Sequence, residues 1–195
     1  MRTKMVAFVL MMGALGNVLF AITYYVGQIA PGVAIDFSLL PAYIAGLYGG
    51  PLIGFISGLL VGILPGIMFG PMGMCGWLGL IGLPIGKSLT GLTAGILSRG
   101  LHLRENKKSS LLAIPAALLA YVPEGVFTYA FFKWLLPLLI GSGGEVIFIY
   151  YILPKALAEI VVISFFVAAL LGNKGFNEFL GAFMGSEDLR ISQRE

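Results

Sequence analysis

Residues 36–54 read DFSLLPAYIAGLYGGPLIG, an acid followed by an apolar run that carries two prolines and four glycines. Proline cannot continue the helical hydrogen-bond ladder and glycine tolerates a sharp bend, so Gly49, Gly50 and Pro51 mark a tight turn between two apolar helices. Asp36 stands at the start of the first of them, where a carboxylate caps orphan amides and meets the positive end of the helix dipole. Gly46 and Gly54 let neighbouring helices approach closely. The stretch therefore reads as two consecutive apolar helices turned back on each other, the repeating unit of a helical bundle.

The remaining sequence extends that unit. Of the 195 residues 58% are hydrophobic and 11% charged, against roughly 45–50% and about 25% in soluble domains. Such a chain belongs in a bilayer, where each crossing takes ~20 residues. Spans are predicted at about 5–26, 35–48, 52–69, 77–97, 111–139 and 146–171, with a polar loop over 99–110 and a mixed, charged tail over 172–195. The expectation is an all-α integral membrane protein, one six-helix transmembrane domain over 1–195. The N-terminal segment starts like a signal peptide, but its apolar run exceeds the usual 7–15 residues, so it reads as a retained first helix.

Loop charge sets the expected orientation, because lysine and arginine stay on the cytoplasmic side. The N-terminus, the 99–110 loop and the tail hold Arg2, Lys4, Arg99, Arg104, Lys107, Lys108, Lys174, Arg190 and Arg194. Lys133, near the end of the fifth span, is the one basic residue toward the other side. Both termini are thus predicted cytoplasmic and the chain a multi-pass protein of the plasma membrane.

Four ionisable residues fall inside predicted spans: Lys87, Glu124, Lys155 and Glu159. Charge at that depth is costly and marks a functional site by default. At 1.5 Å per residue all four sit in the middle to outer half of the bilayer. With Trp77, Tyr121, Trp134 and Tyr151 nearby, they describe an outward-facing substrate pocket of spans four to six. Asp36 serves as cap and gate at an outer loop, and Lys133 closes the pocket. A blander account competes with this one. Lys155 and Glu159 are spaced i,i+4 and can neutralise each other, Lys87 and Glu124 can form a structural interhelical pair, and Trp77 and Trp134 can be interfacial anchors.

Enzyme signatures are scarce. The sequence has no HExxH, GxSxG or phosphate-binding loop, and its one histidine, His102, lies in the polar loop. Met72, Met74 and Cys75 lack a histidine companion, so neither a metal nor any other cofactor is expected. With no nucleotide motif of its own, the chain needs a partner or a gradient to drive transport.

The pattern resembles the substrate-binding S component of energy-coupling factor (ECF) vitamin transporters, over essentially the whole chain. The resemblance rests on DFSLLPAYIAGLYGGPLIGFISGLLVG (36–62), an acid and Leu-Pro followed by small, aliphatic and aromatic residues and Gly-Pro. It rests also on YYILPKALAEIVV (150–162), where a proline precedes an acid. It implies capture of a vitamin-like solute at the outer face, using helices four to six. It also implies association with a transmembrane coupling subunit and two ATPase subunits. Family members often dock through Ala-x-x-x-Ala on the first helix. The nearest arrangement here is Gly13, Asn17 and Ala21, or Ala14 followed by Val18. The alternatives are a gradient-driven secondary transporter with Glu124 or Glu159 carrying a proton, and a sensory or scaffolding membrane domain. A lipid-acting enzyme using Glu124 with Glu159 ranks last.

Overall fold

The structure, a computed structural model, describes residues 3–30, 33–73, 75–104, 109–140 and 148–184. Helix α1 (Thr3–Val26) leads into a short antiparallel pair, β1 (Gln28–Ala30) and β2 (Val33–Ala34). Then come α2 (Leu39–Gly49), α3 (Pro51–Val61), α4 (Ile63–Phe69) and α5 (Gly76–Gly100). Helix α6 (Ser109–Ala130) continues through a π-helical turn, Phe131–Leu135, into α7 (Leu136–Ile140). A second π-helical turn, Phe148–Ile152, opens α8 (Leu153–Gly172), and α9 (Lys174–Met184) follows. Among the described residues five helical runs are long and apolar enough to cross a membrane: Thr3–Val26, Pro51–Phe69, Gly76–Gly100, Ser109–Leu138 and Tyr150–Gly172.

The predicted second span, 35–48, is the main departure. Helix α2 begins only at Leu39 and has 11 residues, about 16 Å of rise, against ~30 Å of hydrocarbon. Its start is delayed because Asp36 Oδ1 accepts the Ser38 N–H at 2.8 Å, a local turn that competes with helix. Asp36 does satisfy an amide beside the α2 N-terminus, as the sequence suggests. Within the predicted tail, Lys174–Met184 is a helix that buries Leu180 and Met184. It is fixed to α2 by the Tyr48 hydroxyl, 2.6 Å from Asn177 Oδ1. The predicted 99–110 loop is shorter, because Arg99 and Gly100 belong to α5 and Ser109 opens α6. Arg2, Met74, Lys107, Lys108, Arg190, Arg194 and residues 141–145, between the predicted fifth and sixth spans, lie outside the described residues.

Glycine sets the spacing of the inner helices. Gly50, between α2 and α3, has φ +86°, the left-handed region that suits glycine, and Pro51 follows at the first helical position, where its missing N–H costs nothing. Between α3 and α5 the backbones touch: a Cβ on Gly54 would lie 2.1 Å from the Gly91 carbonyl oxygen. One turn along, a Cβ on Gly58 would lie 2.5 Å from the Lys87 carbonyl oxygen. These contacts fix the rotation of α5 and so the direction of Lys87.

Asn17 fastens α1 to the same unit. Its Nδ2 donates to the carbonyls of Gly13 (2.7 Å) and Leu60 (2.9 Å), and its Oδ1 accepts the Leu64 N–H at 2.9 Å. A Cβ on Gly13 would lie 2.7 Å from Leu60 Cβ. Gly13 and Asn17, expected from the sequence on a partner-docking face, thus pack against α3 and α4 of the same chain, and Ala21 is only partly exposed. Asn17→Leu removes three hydrogen bonds and leaves the Leu64 amide unpaired, an expected loss of about 1–3 kcal/mol, read as a lower melting temperature of the detergent-purified protein. An unchanged melt would assign the α1 contact to apolar packing alone.

Candidate functional site

Lys87 is 4% exposed although it carries a charge. Its Nζ lies 2.6 Å from Asp36 Oδ2 and 2.8 Å from Ser38 Oγ. The ion pair joins α5 to the loop before α2, across 51 residues of sequence. Asp36 is in turn held by α8, since its own N–H donates to Glu159 Oε1. Glu159 also meets Lys155, one turn earlier on α8, at 3.4 Å. Glu124, from α6, accepts a hydrogen bond from the Thr90 hydroxyl of α5 at its Oε2. No lysine or arginine nitrogen of the described residues lies within 4.0 Å of the Glu124 carboxylate.

These groups line a cavity of about 140 Å³. Its polar wall includes Asp36, Lys87, Tyr121, Glu124, Thr128, Lys155 and Glu159, and its apolar wall includes Leu39, Phe69, Phe127, Phe131, Phe132 and Ile152. A cavity of about 150 Å³ accommodates benzene in an engineered protein core, so this one has room for a single small ring. With every group ionised, three carboxylates against two ammonium groups give the polar wall a formal charge of −1. Both π-helical turns reach the cavity, through Phe131 and Phe132 on one and Ile152 on the other. Such turns displace side chains from the regular helical register and frequently sit at functional sites.

Six residues singled out in the sequence, Asp36, Lys87, Tyr121, Glu124, Lys155 and Glu159, therefore share one cavity. Trp77, Trp134, Tyr151 and Lys133 do not line it. Trp77 is 74% exposed and Trp134 63%, the surface position of an interfacial anchor. Lys133 instead donates to the Tyr129 hydroxyl at 2.8 Å and lies over that ring. The partner of Lys87 also differs: it is Asp36, not Glu124. Asp36 is accordingly part of the polar wall itself, besides standing at the mouth of α2.

Sequence reading missed Ser38, Thr90, Gly86 and the phenylalanine wall. Ser38 and Thr90 had a usable signal, as hydroxyls two and three residues from a charge that needs donors or acceptors. The phenylalanines had none, because 14 are spread along the chain and an apolar span needs them everywhere. Among the described residues no group of three or more His, Cys, Asp or Glu is placed to hold a metal ion. No protein-family model, curated protein or solved structure matches the chain.

Proposed function

We propose that this chain is the solute-capturing subunit of an ECF-type importer of the plasma membrane. The carrying observation is the convergence of five lysine and carboxylate side chains on one small, partly aromatic cavity. They come from the loop before α2 and from α5, α6 and α8. Charges inside otherwise apolar helices are expensive and persist where they handle a solute or ion. On this reading α2 joins the five long runs as a sixth, shortened membrane element and both termini are cytoplasmic, in keeping with the placement of the lysines and arginines.

The chain has no nucleotide-binding motif, so import is driven by a transmembrane coupling subunit with two ATPase subunits. The exposed side of α1, with Ala14 and Val18 one turn apart, is the face offered to the coupling subunit, in place of the inward Gly13 and Asn17. The protein is a binding and delivery subunit, not an enzyme. To test it, the full chain is purified without added ligand, denatured, and the released small molecules identified by mass spectrometry. A stoichiometric polar metabolite is expected. Lipid alone, with uptake unchanged in Lys155→Ala and Glu124→Ala, would sink the proposal.

One observation favours a second reading, a gradient-driven carrier: carboxylates outnumber lysines on the cavity wall, and no lysine or arginine nitrogen of the described residues lies within 4.0 Å of the Glu124 carboxylate. Such a carboxylate can carry a proton across. Collapsing the proton gradient would then stop uptake while ATP depletion would not, the reverse of the outcome expected for the importer.

A further inference from the structure

We propose that the cavity selects a small organic cation, a flat ring bearing N–H donors, whose charge rests on the Glu124 carboxylate. This rests on the solute-capture reading and adds the chemical class of the solute.

The sign follows from which charges are already engaged. Lys87 directs two of its three N–H donors to Asp36 and Ser38. Lys155 faces Glu159 on its own helix. Glu124 has only the Thr90 hydroxyl, on Oε2, and its Oε1 accepts no hydrogen bond from a described residue. The sealed side-chain atoms without a hydrogen bond, among the described residues, are Ser57 Oγ and Arg99 Nε. Glu124 Oε1 is therefore open to the cavity rather than enclosed. With three carboxylates against two lysines on this wall, an entering anion adds to the excess charge, whereas a cation offsets it and can donate to the open Glu124 Oε1.

The space beside that oxygen is kept by Gly86. A Cβ there would lie 3.6 Å from Glu124 Cγ, 3.6 Å from Phe127 Cδ1 and 3.9 Å from Glu124 Oε1. Those are ordinary contact distances, so alanine fits the fold but occupies the volume a ring would use. Aromatic faces add attraction for a cation, and Phe127 and Phe131 line the cavity with Glu124. A donor-bearing ring seated here places N–H groups on Oε1 and its plane against phenylalanine.

Three molecules of one shape and three charges test the sign: benzamidinium, benzamide and benzoate. Each is added to the full chain in detergent, and binding is read by the melting-temperature shift and by alkylation of Cys75. That is the single cysteine of the chain, and it lines the cavity. Benzamidinium at ten times its half-saturating concentration is expected to raise the melting temperature and slow Cys75 alkylation about tenfold. Benzamide and benzoate should bind at least tenfold more weakly. Glu124→Gln, which can still accept from Thr90, and Gly86→Ala should each weaken benzamidinium at least tenfold. Glu178→Gln, on the exposed side of α9, should leave it unchanged. Gly86→Ala should also melt no lower than the parent, since alanine is the better helix former, which separates lost binding from lost folding. Benzoate or benzamide binding as tightly as benzamidinium, or no benzamidinium binding at all, would overturn the cation assignment. The capture reading stands or falls separately, on whether a polar metabolite co-purifies.

Discussion

Lys87→Met is expected to lower the unfolding free energy of the detergent-purified protein by about 3–5 kcal/mol, the usual cost of breaking a buried ion pair from one side. Methionine matches the length of the stem, so little packing is lost. What remains is Asp36, 7% exposed, with its Oδ2 deprived of a cation at 2.6 Å and the Ser38 hydroxyl deprived of its donor. The double variant Lys87→Met with Asp36→Asn should recover most of the loss, because asparagine still accepts the Ser38 N–H and carries no charge. Non-additivity of that size is the signature of a direct pair. A single-variant cost below about 1 kcal/mol, the range of exposed pairs, would mean that Asp36 is compensated elsewhere and that Lys87 does not organise the site.

Gly91→Val should be nearly as damaging for a different reason. A Cβ on Gly91 would lie 2.1 Å from the Gly54 carbonyl oxygen and 2.6 Å from its carbonyl carbon. Both are backbone atoms of α3, so no rotamer change relieves the clash and the two helices must separate. Overpacking costs about 1–3 kcal/mol where neighbours can adjust, and this site lies at or above the top of that range. Lys87 is one turn from Gly91 on α5, so the same displacement pulls it from Asp36. Melting temperature and solute binding should fall together. Gly100→Ala is the matched control on the same helix, since nothing lies within 4 Å of its added Cβ. It should stay within about 0.5 kcal/mol. Equal melts for the two variants would show that α3 and α5 are not in backbone contact.

How much of this was readable in the sequence depended on the range of the interaction. Hydropathy located the five long helices to within a few residues, because each carries its signal along its own length. The same averaging misread 35–48, where an apolar stretch includes the three residues Asp36, Phe37 and Ser38 that turn instead of coiling. Intramembrane charge found Lys87, Glu124, Lys155 and Glu159 as individuals, since each is anomalous where it stands. It paired Lys155 with Glu159 correctly by their i,i+4 spacing. It did not find Asp36 as the partner of Lys87, because nothing local links residues 51 apart. Trp77 and Trp134 were attractive as ring-stacking surfaces, yet their amphipathic rings face outward and plain phenylalanine lines the cavity.

Helix α5 has the lowest mean hydropathy of the five membrane-length runs, 1.4 against 1.6 to 2.3 for the others. It is also the helix that bears Lys87, and a lysine near the centre of a bilayer-crossing helix costs about 2.5–3.5 kcal/mol on insertion. Of the five, the segment on which the site depends is the least suited to enter lipid alone. Its counter-charge, Asp36, and the glycine-bearing surface of α3 both precede it in the chain. Domains emerge N-terminus first during synthesis. The carboxylate is therefore synthesised before the lysine, and the order of translation gives α5 a counter-charge already in the chain when it is made.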